Sequence, residues 1–289
     1  MKNSCRGLLF HGLYIGAYML SLLPMSLLYK FADWAYLLMY HVFSYRKSVV
    51  IQNLSRSFPD KRYGEIEVIM KGFYRSFCDN CVEILKSVSI PACRQKRKIV
   101  LIDFDMIERQ IRQGRHVIAS MGHCGNWEIL NVLPLLLNVN INAVYKPLKT
   151  KCVDRLMLKI RSRFGVNLIP AQSVVRHIVS NKDNPSLYFF IADQCPVIVD
   201  GAYRFDFLHQ TTSVFSGVEK LAGITRSGVV YIHVSRISRG IYRIECKEIS
   251  LHSESAVKTE ITRNYIRHLE QNILKNPSDW LWSHKRWKR

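Results

Sequence analysis

The amino-acid sequence predicts an α/β fold in which a central, mostly parallel β-sheet is flanked by helices. The short, mainly apolar run 116–121 (HVIASM) and the continuous apolar run 187–192 (LYFFIA) are typical of buried strands. Segments with apolar residues at helical spacing lie between these runs, and such alternation is typical of sheets covered by helices. An uncharged segment near the amino terminus adds a predicted hydrophobic membrane-anchor helix.

The predicted elements follow one another through most of the chain. A helix over 62–87 is closed by Pro91. The elements that follow are strand 116–121, helix 126–137, strand 141–145, helix 154–163, strand 187–192, helix 215–223, strands 229–237 and 241–249, and helix 260–274. The last two strands flank Ser238-Arg239-Gly240, which predicts a hairpin.

The amino-terminal segment predicts membrane attachment. Residues 7–29 carry no charge, and about 20 apolar residues suffice to cross a bilayer. A cleaved signal peptide would have a shorter apolar core and would end in small residues. We therefore predict a retained anchor over residues 1–44, spanning the membrane or lying deep in one leaflet, joined through 45–59 to a main domain over 45–289. The positive charges on both sides of the anchor leave its topology open.

The charge balance favours anionic partners. The 289 residues include 42 Lys and Arg against 22 Asp and Glu, which gives a net charge of +20. A surface of this sign suits an anionic membrane, nucleic acid or a small acidic protein. Hydrophobic residues make up 48% of the chain, which excludes a disordered protein.

The eight cysteines are scattered and do not predict a disulfide framework. Cys78 and Cys81 form a CxxC pair, but a structural zinc site would need a second pair of ligands at matching spacing. The pair lies in the predicted helix 62–87, so two ordinary helix residues are the favoured interpretation. The sequence therefore predicts no metal site, and it contains no nucleotide-binding loop or other sign of a cofactor.

A histidine and a glutamate follow the first central strand. His123 stands in the turn after strand 116–121, between Gly122 and Gly125, and Glu128 falls in the first turn of the next predicted helix. From there Glu128 would reach back to the imidazole, and a carboxylate on one ring nitrogen makes the other more basic. Such a pair suits removal of a proton from an alcohol, whose oxygen then attacks an acyl carbonyl without a protein nucleophile. The other interpretation is a histidine that caps a helix beside an incidental glutamate.

Further segments make the chain similar to a known family. The motif GHCGNWE (122–128) resembles the acyltransferase box of the late lipid A biosynthesis acyltransferases, a branch of the glycerolipid acyltransferase superfamily. The other matching segments are Arg46, Asn53, Leu54, Phe58 and Pro59, then Tyr145-Lys146-Pro147, Arg161 to Gly165, Ala192-Asp193-Gln194, Phe205 to Glu219, and the tail Trp280 to Lys288. Residues 207–210 differ from the family's commoner Phe-Phe-Gly version, which leaves acyl-chain length and acceptor open.

The resemblance implies a reaction and its partners. The donor would be an acyl thioester on acyl carrier protein or coenzyme A, and the acceptor a hydroxyl of a partly acylated, phosphorylated glucosamine disaccharide. The acyltransferase domain would lie on the cytoplasmic face of the cell inner membrane, bound to anionic lipid, and no nucleic acid would be involved. No cofactor or metal is implied.

The resemblance also implies roles for single residues. His123 would act as general base, and Glu128 would orient it. Arg163, from the pair that it forms with Arg161, would stabilise the oxyanion. The predicted substrate-binding residues are Arg161, Lys146, Asn126, Asp193 and Gln194. Asp193 and Gln194 are expected to shape the acceptor pocket or hold their loop.

Two alternatives remain open on sequence alone. A related acyltransferase could act on a lysophospholipid or another glycolipid. A basic, membrane-tethered binding protein for lipid or nucleic acid would have no special need for His123 or Glu128.

Overall fold

The computed structural model describes residues 2–196 and 200–287. Lys288, which ends the tail motif, lies outside these ranges. The strands are β1 (Ile99–Ile102), β2 (Val117–Met121), β3 (Asn140–Tyr145), β4 (Asn167–Pro170), β5 (Ser186–Ile191), β6 (Arg204–Phe207), β7 (Gln210–Ser213), β8 (Gly228–Ser238) and β9 (Ile241–Ser250). Seven of them form one sheet in the order β1-β9-β8-β2-β5-β3-β4, and β6 and β7 form a separate antiparallel pair.

The central sheet is mostly parallel, as predicted. Every neighbouring pair runs parallel except β8 and β9, which form the predicted hairpin. The strands β2, β5, β3 and β4 therefore end at the same edge of the sheet. In open α/β sheets this edge, at the carboxyl ends of the strands, is where ligands bind.

Helices supply the layers on either side of the sheet. The α-helices of the described residues are α1 (Lys2–Leu22), α2 (Met25–Leu37), α3 (Lys47–Ser57), α4 (Tyr63–Lys86), α5 (Ala92–Lys96), α6 (Asp105–Arg112), α7 (Lys151–Arg161), α8 (Val174–Ser180), α9 (Gly217–Thr225) and α10 (Glu260–Lys275). A π-helix, Leu38–Val42, continues α2. The 3-10 helices are Trp127–Leu135, Ala171–Ser173, Gly201–Tyr203, Ser253–Ser255 and Pro277–Asp279. The predicted helices 62–87, 154–163, 215–223 and 260–274 correspond to α4, α7, α9 and α10.

Alternate residues of the central strands pack into two different cores. On β2, Ile118 joins a core that includes residues of α4, α9 and α10. Its neighbour Ala119 joins the opposite core, with Ile107 of α6 and Leu130 of the 3-10 helix. Both faces of these strands are buried because both carry helices, and this is why their sequences are continuously apolar.

Several segments differ from the sequence prediction. The helix expected over 126–137 is a 3-10 helix, Trp127–Leu135, and Pro134 lies inside it, where it cannot donate a helical hydrogen bond. The predicted join 45–59 contains the helix α3. The edge strands β1 and β4 were not predicted, since each has only four residues and is partly exposed.

The predicted single anchor helix is divided in two. α1 ends at Leu22 and α2 begins at Met25 after Pro24, and the apolar parts of the two helices meet at an angle of 113°. Lys86 of α4 donates to the carbonyl oxygens of Ser21 and Leu23, both at 2.8 Å, which fixes this break against the body. Within residues 2–196 and 200–287, no single helix is both long enough and apolar enough to cross a membrane. The two helices of this bent pair, taken together, have the required length and apolar composition.

Candidate active site

The loop after β2 is shaped by two glycines. β2 ends at Met121, and residues 122–126 lead to the 3-10 helix. A side chain at Gly122 would collide with Leu269 of α10, and Gly125 has a positive φ of 58°, which favours glycine. The backbone can therefore turn sharply at the carboxyl end of the strand, and His123 stands in this turn.

A buried aspartate from the neighbouring strand holds the imidazole of His123. β5 lies parallel to β2 with Ile191 opposite Met121. His123 and Asp193 each lie two residues beyond this pair, so they are neighbours at the carboxyl ends of the two strands. The imidazole Nδ1 lies 2.6 Å from Asp193 Oδ1, and the backbone N–H of His123 donates to Oδ2 at 2.8 Å. Asp193 is only 4% exposed. Asp193 was expected to shape the acceptor pocket or hold its loop; it bonds the backbone of the loop that carries His123, and it also contacts the imidazole.

The charge of Asp193 decides the tautomer of the histidine. Burial alone would raise the pKa of Asp193, but the charge and hydrogen bonds of His123 and the indole N–H of Trp280 outweigh it and lower the pKa to about 2. The carboxylate therefore only accepts hydrogen bonds, and Nδ1 of His123 is the donor. The neutral imidazole then keeps Nε2 unprotonated and able to take a proton.

Glu128 does not hold the imidazole as predicted. Its side chain accepts two hydrogen bonds from Arg161 Nε, at 2.9 and 3.1 Å, and a further one from Arg161 Nη2. The reason is geometric: Arg161 ends α7 and reaches the first turn of the 3-10 helix, while Asp193 already occupies Nδ1. Burial would lower the pKa of Arg161, but the bonds and charge of Glu128 raise it, so the guanidinium stays charged.

Arg163, the first choice for the oxyanion, does not line the pocket beside His123. Its Nη1 donates to the carbonyl oxygen of Ser87 at the end of α4, and its guanidinium lies over the ring of Phe164. Arg161 is the last residue of α7 and Arg163 lies two residues beyond it, and the two side chains bond different partners, Glu128 and Ser87 respectively. Arg161 is the arginine that lines the pocket.

A pocket of about 460 Å³ opens beside His123. The predicted binding residues Lys146, Arg161 and Gln194 line it, together with Glu128. Its apolar wall consists of Met121, Leu130, Val166, Leu168, Phe189 and Ile191. Pockets of a few hundred Å³ with an apolar wall and a few polar groups are typical of small-molecule sites.

The family follows from a comparison over almost the whole chain. Residues 6–289 match the family described as bacterial lipid A biosynthesis acyltransferase. The chain belongs to this family. The predicted resemblance is thereby confirmed, and the protein is an acyltransferase at the level of its family. No curated protein matches the chain.

The neighbour of His123 in the acyltransferase is a buried thiol. Cys124 is fully buried, and burial raises its pKa well above the ordinary value for a cysteine. A protonated, enclosed thiol is a poor nucleophile, so the geometry favours direct attack by the acceptor. Among the residues described, no three His, Cys, Asp or Glu side chains form a group suited to a metal ion.

Asn126 has a structural position and does not line the pocket of the acyltransferase. Its Nδ2 donates to Glu83 Oε2 at 2.8 Å, and Glu83 also accepts from Tyr242 Oη at 2.7 Å and from Tyr29 Oη at 3.0 Å. Glu83 lies on α4 and is buried. Asn126, which was predicted to bind substrate, thus ties the loop after β2 to a buried carboxylate.

The Asn126→Ala variant of the acyltransferase should lose about 2 kcal/mol of stability. The carboxyl group of Glu83 would lose one of three donors, and a hydrogen bond to a carboxylate contributes about 1.5–3 kcal/mol. Thermal unfolding in detergent measures the loss. The Asn140→Ala variant serves as control, since Asn140 is exposed and its side chain donates to that of Asn184 at the surface. Equal unfolding temperatures for the two variants would contradict this account.

Sequence reasoning missed two features of the acyltransferase site. The first is the pairing of His123 with Asp193. The available signal was that both residues follow runs predicted as strands of one sheet, but only the pairing of β2 with β5 shows that these two strand ends are neighbours. The contact between Trp280 and Asp193 joins positions 87 residues apart, at 2.8 Å. No local pattern predicts a contact of that kind.

Proposed function

We propose that this acyltransferase moves a fatty acyl group from a thioester to a hydroxyl of a partly acylated, phosphorylated lipid A precursor. The observation that carries the proposal is the imidazole of His123, held at Nδ1 by buried Asp193 and lining a largely apolar pocket. A base of this kind needs no protein nucleophile, because the acceptor oxygen makes the attack. The family description, bacterial lipid A biosynthesis acyltransferase, supports this class of acceptor.

The proposed reaction moves one proton through His123. Nε2 takes the proton of the acceptor hydroxyl while the oxygen forms a bond to the thioester carbonyl carbon. The carbonyl electrons move onto its oxygen, and they return as the carbon–sulfur bond breaks. The imidazolium, stabilised by Asp193, then gives the proton to the departing thiolate sulfur. The products are the ester and the free thiol of the donor.

Arg161 is the proposed donor to the oxyanion. It lines the same pocket as His123 and stays charged, and a fixed positive donor at the developing negative charge is often the largest catalytic contribution. Glu128 accepts from Nε and Nη2 of Arg161, which leaves Nη1 for substrate. In this proposal Glu128 acts by orienting Arg161.

The apolar wall of the pocket suits the acyl chain of the donor. The chain would run along Met121, Leu130 and Phe189, with its thioester beside His123. Lys146 and Lys149 line the same pocket and would contact the phosphate of the donor or acceptor. A net charge of +20 also suits acyl carrier protein, which is acidic, as donor.

The bent helices α1 and α2 are the proposed membrane attachment. They carry many exposed apolar side chains, which single soluble domains rarely place together. The exposed ones from residue 9 onward are Leu9, Leu13, Ile15, Tyr18, Met19, Leu20, Leu22, Leu27, Phe31, Trp34 and Leu37, with Leu38, Val42 and Phe43 just after α2. We propose that they insert into the cytoplasmic leaflet of the inner membrane, with the catalytic body on the cytoplasmic face.

Charge on this apolar surface should weaken membrane binding. In the Trp34→Asp/Phe43→Asp variant, two side chains that are 68% and 71% exposed become charged, and each should lower vesicle binding by about tenfold or more. Sedimentation with phosphatidylglycerol-containing vesicles measures the loss. Val257→Asp is the matched control, because Val257 is 72% exposed but lies outside these helices. An equal loss in the control would reject the assignment.

Purified protein tests the proposed reaction directly. It would be incubated with acyl carrier protein or coenzyme A thioesters of one chain length, and with either a lipid A precursor or a lysophospholipid. Mass spectrometry should detect one added acyl chain on the lipid A precursor, and none in the His123→Ala variant. Acylation of the lysophospholipid alone would favour the alternative acceptor. Loss of one acyl chain from lipid A in cells that lack the protein is the matching result in vivo.

A further inference from the structure

The carboxyl-terminal segment packs directly against the catalytic loop. The backbone N–H of Gly125 donates to the carbonyl oxygen of Asp279 at 2.9 Å, and Cys124 and Trp280 form an antiparallel bridge. Backbone contacts with residues 279 and 280 therefore fix the loop that carries His123.

Trp280 of this segment reaches the carboxylate behind the histidine. Its indole Nε1–H donates to Asp193 Oδ2 at 2.8 Å, and both side chains are buried. Asp193 thus accepts from the Nδ1 and backbone N–H of His123 and from the indole. The Oδ2 atom is held by two donors, which leaves Oδ1 facing Nδ1.

The indole itself is fixed by other aromatic rings. Its centroid lies 4.8 Å from that of Trp282, 5.8 Å from that of Phe207 and 5.9 Å from that of Trp287. The three contacts are edge to face, with interplanar angles of 84°, 86° and 70° respectively, an arrangement that aromatic pairs favour. The indole N–H consequently has little freedom to turn away from Asp193.

We propose that Trp280 is a positioning residue of the active site, which holds Asp193 in the orientation that fixes the tautomer of His123. The proposal rests on the proposed function, in which His123 is the general base. Trp280 touches no substrate atom in this account and acts only through Asp193. Partners behind a catalytic group commonly matter in this way, because they fix the orientation of the group that they contact.

The Trp280→Phe variant tests the proposal, since it removes the indole N–H and keeps an aromatic ring. We expect kcat to fall about tenfold with little change in KM, the usual cost of one hydrogen bond to a charged group. Trp282→Phe is the matched control. Trp282 is equally buried on the same segment, but its indole donates to the carbonyl oxygen of Pro277 at 2.6 Å. It should keep kcat within about twofold of the wild type.

Proton NMR gives a second measurement that needs no substrate. The Nδ1 proton of His123 should give a low-field resonance that is absent from the His123→Ala variant. It should shift and broaden in Trp280→Phe and stay unchanged in Trp282→Phe. If the wild type transfers no acyl group but the resonance behaves this way, the proposed function fails and the positioning of Asp193 stands.

The proposal is overturned if Trp280→Phe matches Trp282→Phe in both kcat and the low-field resonance. Should the phenylalanine variant not fold, as judged by near-ultraviolet circular dichroism, position 280 can carry the benzothiophene analogue of tryptophan. This analogue has the shape of the indole with sulfur in place of N–H. A normal kcat and resonance with the analogue would likewise overturn the proposal, and losses like those expected for Trp280→Phe would support it.

Discussion

Replacing Asp193 with asparagine should lower kcat by about a thousandfold or more while the fold is kept. The Oδ2 position accepts from the backbone N–H of His123 and from Trp280, so the amide oxygen of asparagine would take that place. The amide NH₂ would then face Nδ1 and donate to it. Nδ1 would have to become the acceptor, which puts the proton on Nε2 and removes the base, and a loss of about 10⁴ is typical of such a tautomer error.

Steady-state kinetics on the purified protein checks this expectation. Asp183→Asn is a suitable control, because it replaces the same side chain by the same amide at an exposed position. The unfolding temperature of both variants should be compared with that of the wild type. A variant Asp193→Asn that is folded and retains a tenth of the wild-type kcat would show that the tautomer of His123 does not limit the reaction.

Replacing Arg161 with methionine should lower kcat by about 10²–10³ and change KM much less. Arg161 is the charged donor that lines the pocket beside His123, and removal of one donor to an oxyanion typically has an effect of this size. Methionine keeps much of the packing of the arginine stem. Kinetics with a single acyl thioester at saturating acceptor measures the change.

Two further variants distinguish stabilisation of the oxyanion by Arg161 from a role in which Arg161 only neutralises Glu128. Arg163→Met should remain within a few fold of the wild type, because Arg163 bonds Ser87 and lies outside the pocket lining. The Arg161→Met/Glu128→Gln double variant removes the carboxylate that the single change leaves without its arginine partner. Recovery of kcat in the double variant would mean that Arg161 only neutralises Glu128, and a persistent loss supports its role at the oxyanion.

The sequence predicts the centre of this fold better than its edges. β2 and β5 are covered on both faces, so most of their positions are apolar and the runs 116–121 and 187–192 stand out. β1 and β4 lie at the two edges of the sheet with only four residues each. Their alternation is too short and too weak to be recognised in a single sequence.

The same limit applies to the site. The position of His123 follows from local pattern, since a glycine-bounded turn after a buried strand is visible in the sequence. The partner of the imidazole cannot be chosen from local pattern, because Glu128 and Asp193 are both acidic residues close to predicted strand ends. Only the pairing of β2 with β5 places Asp193 beside Nδ1 of His123. Arg161 and Arg163 are also equivalent in sequence, and the end of α7 decides which one enters the pocket.

The buried carboxyl group of Glu83 restricts how chimaeric proteins can be made from two members of the family. It accepts from Tyr29 of α2 on one oxygen and from Asn126 of the catalytic loop on the other. Any chimaera that takes α1 and α2 from one family member and the remainder from another must therefore supply a hydroxyl at position 29 and a carboxylate at position 83 together. A crossover near residue 44 separates Tyr29 from Glu83, and a crossover after α4 separates Glu83 from Asn126. We therefore expect the functional chimaeras to be those that take all three side chains from one parent or have the same residues at these positions in both parents.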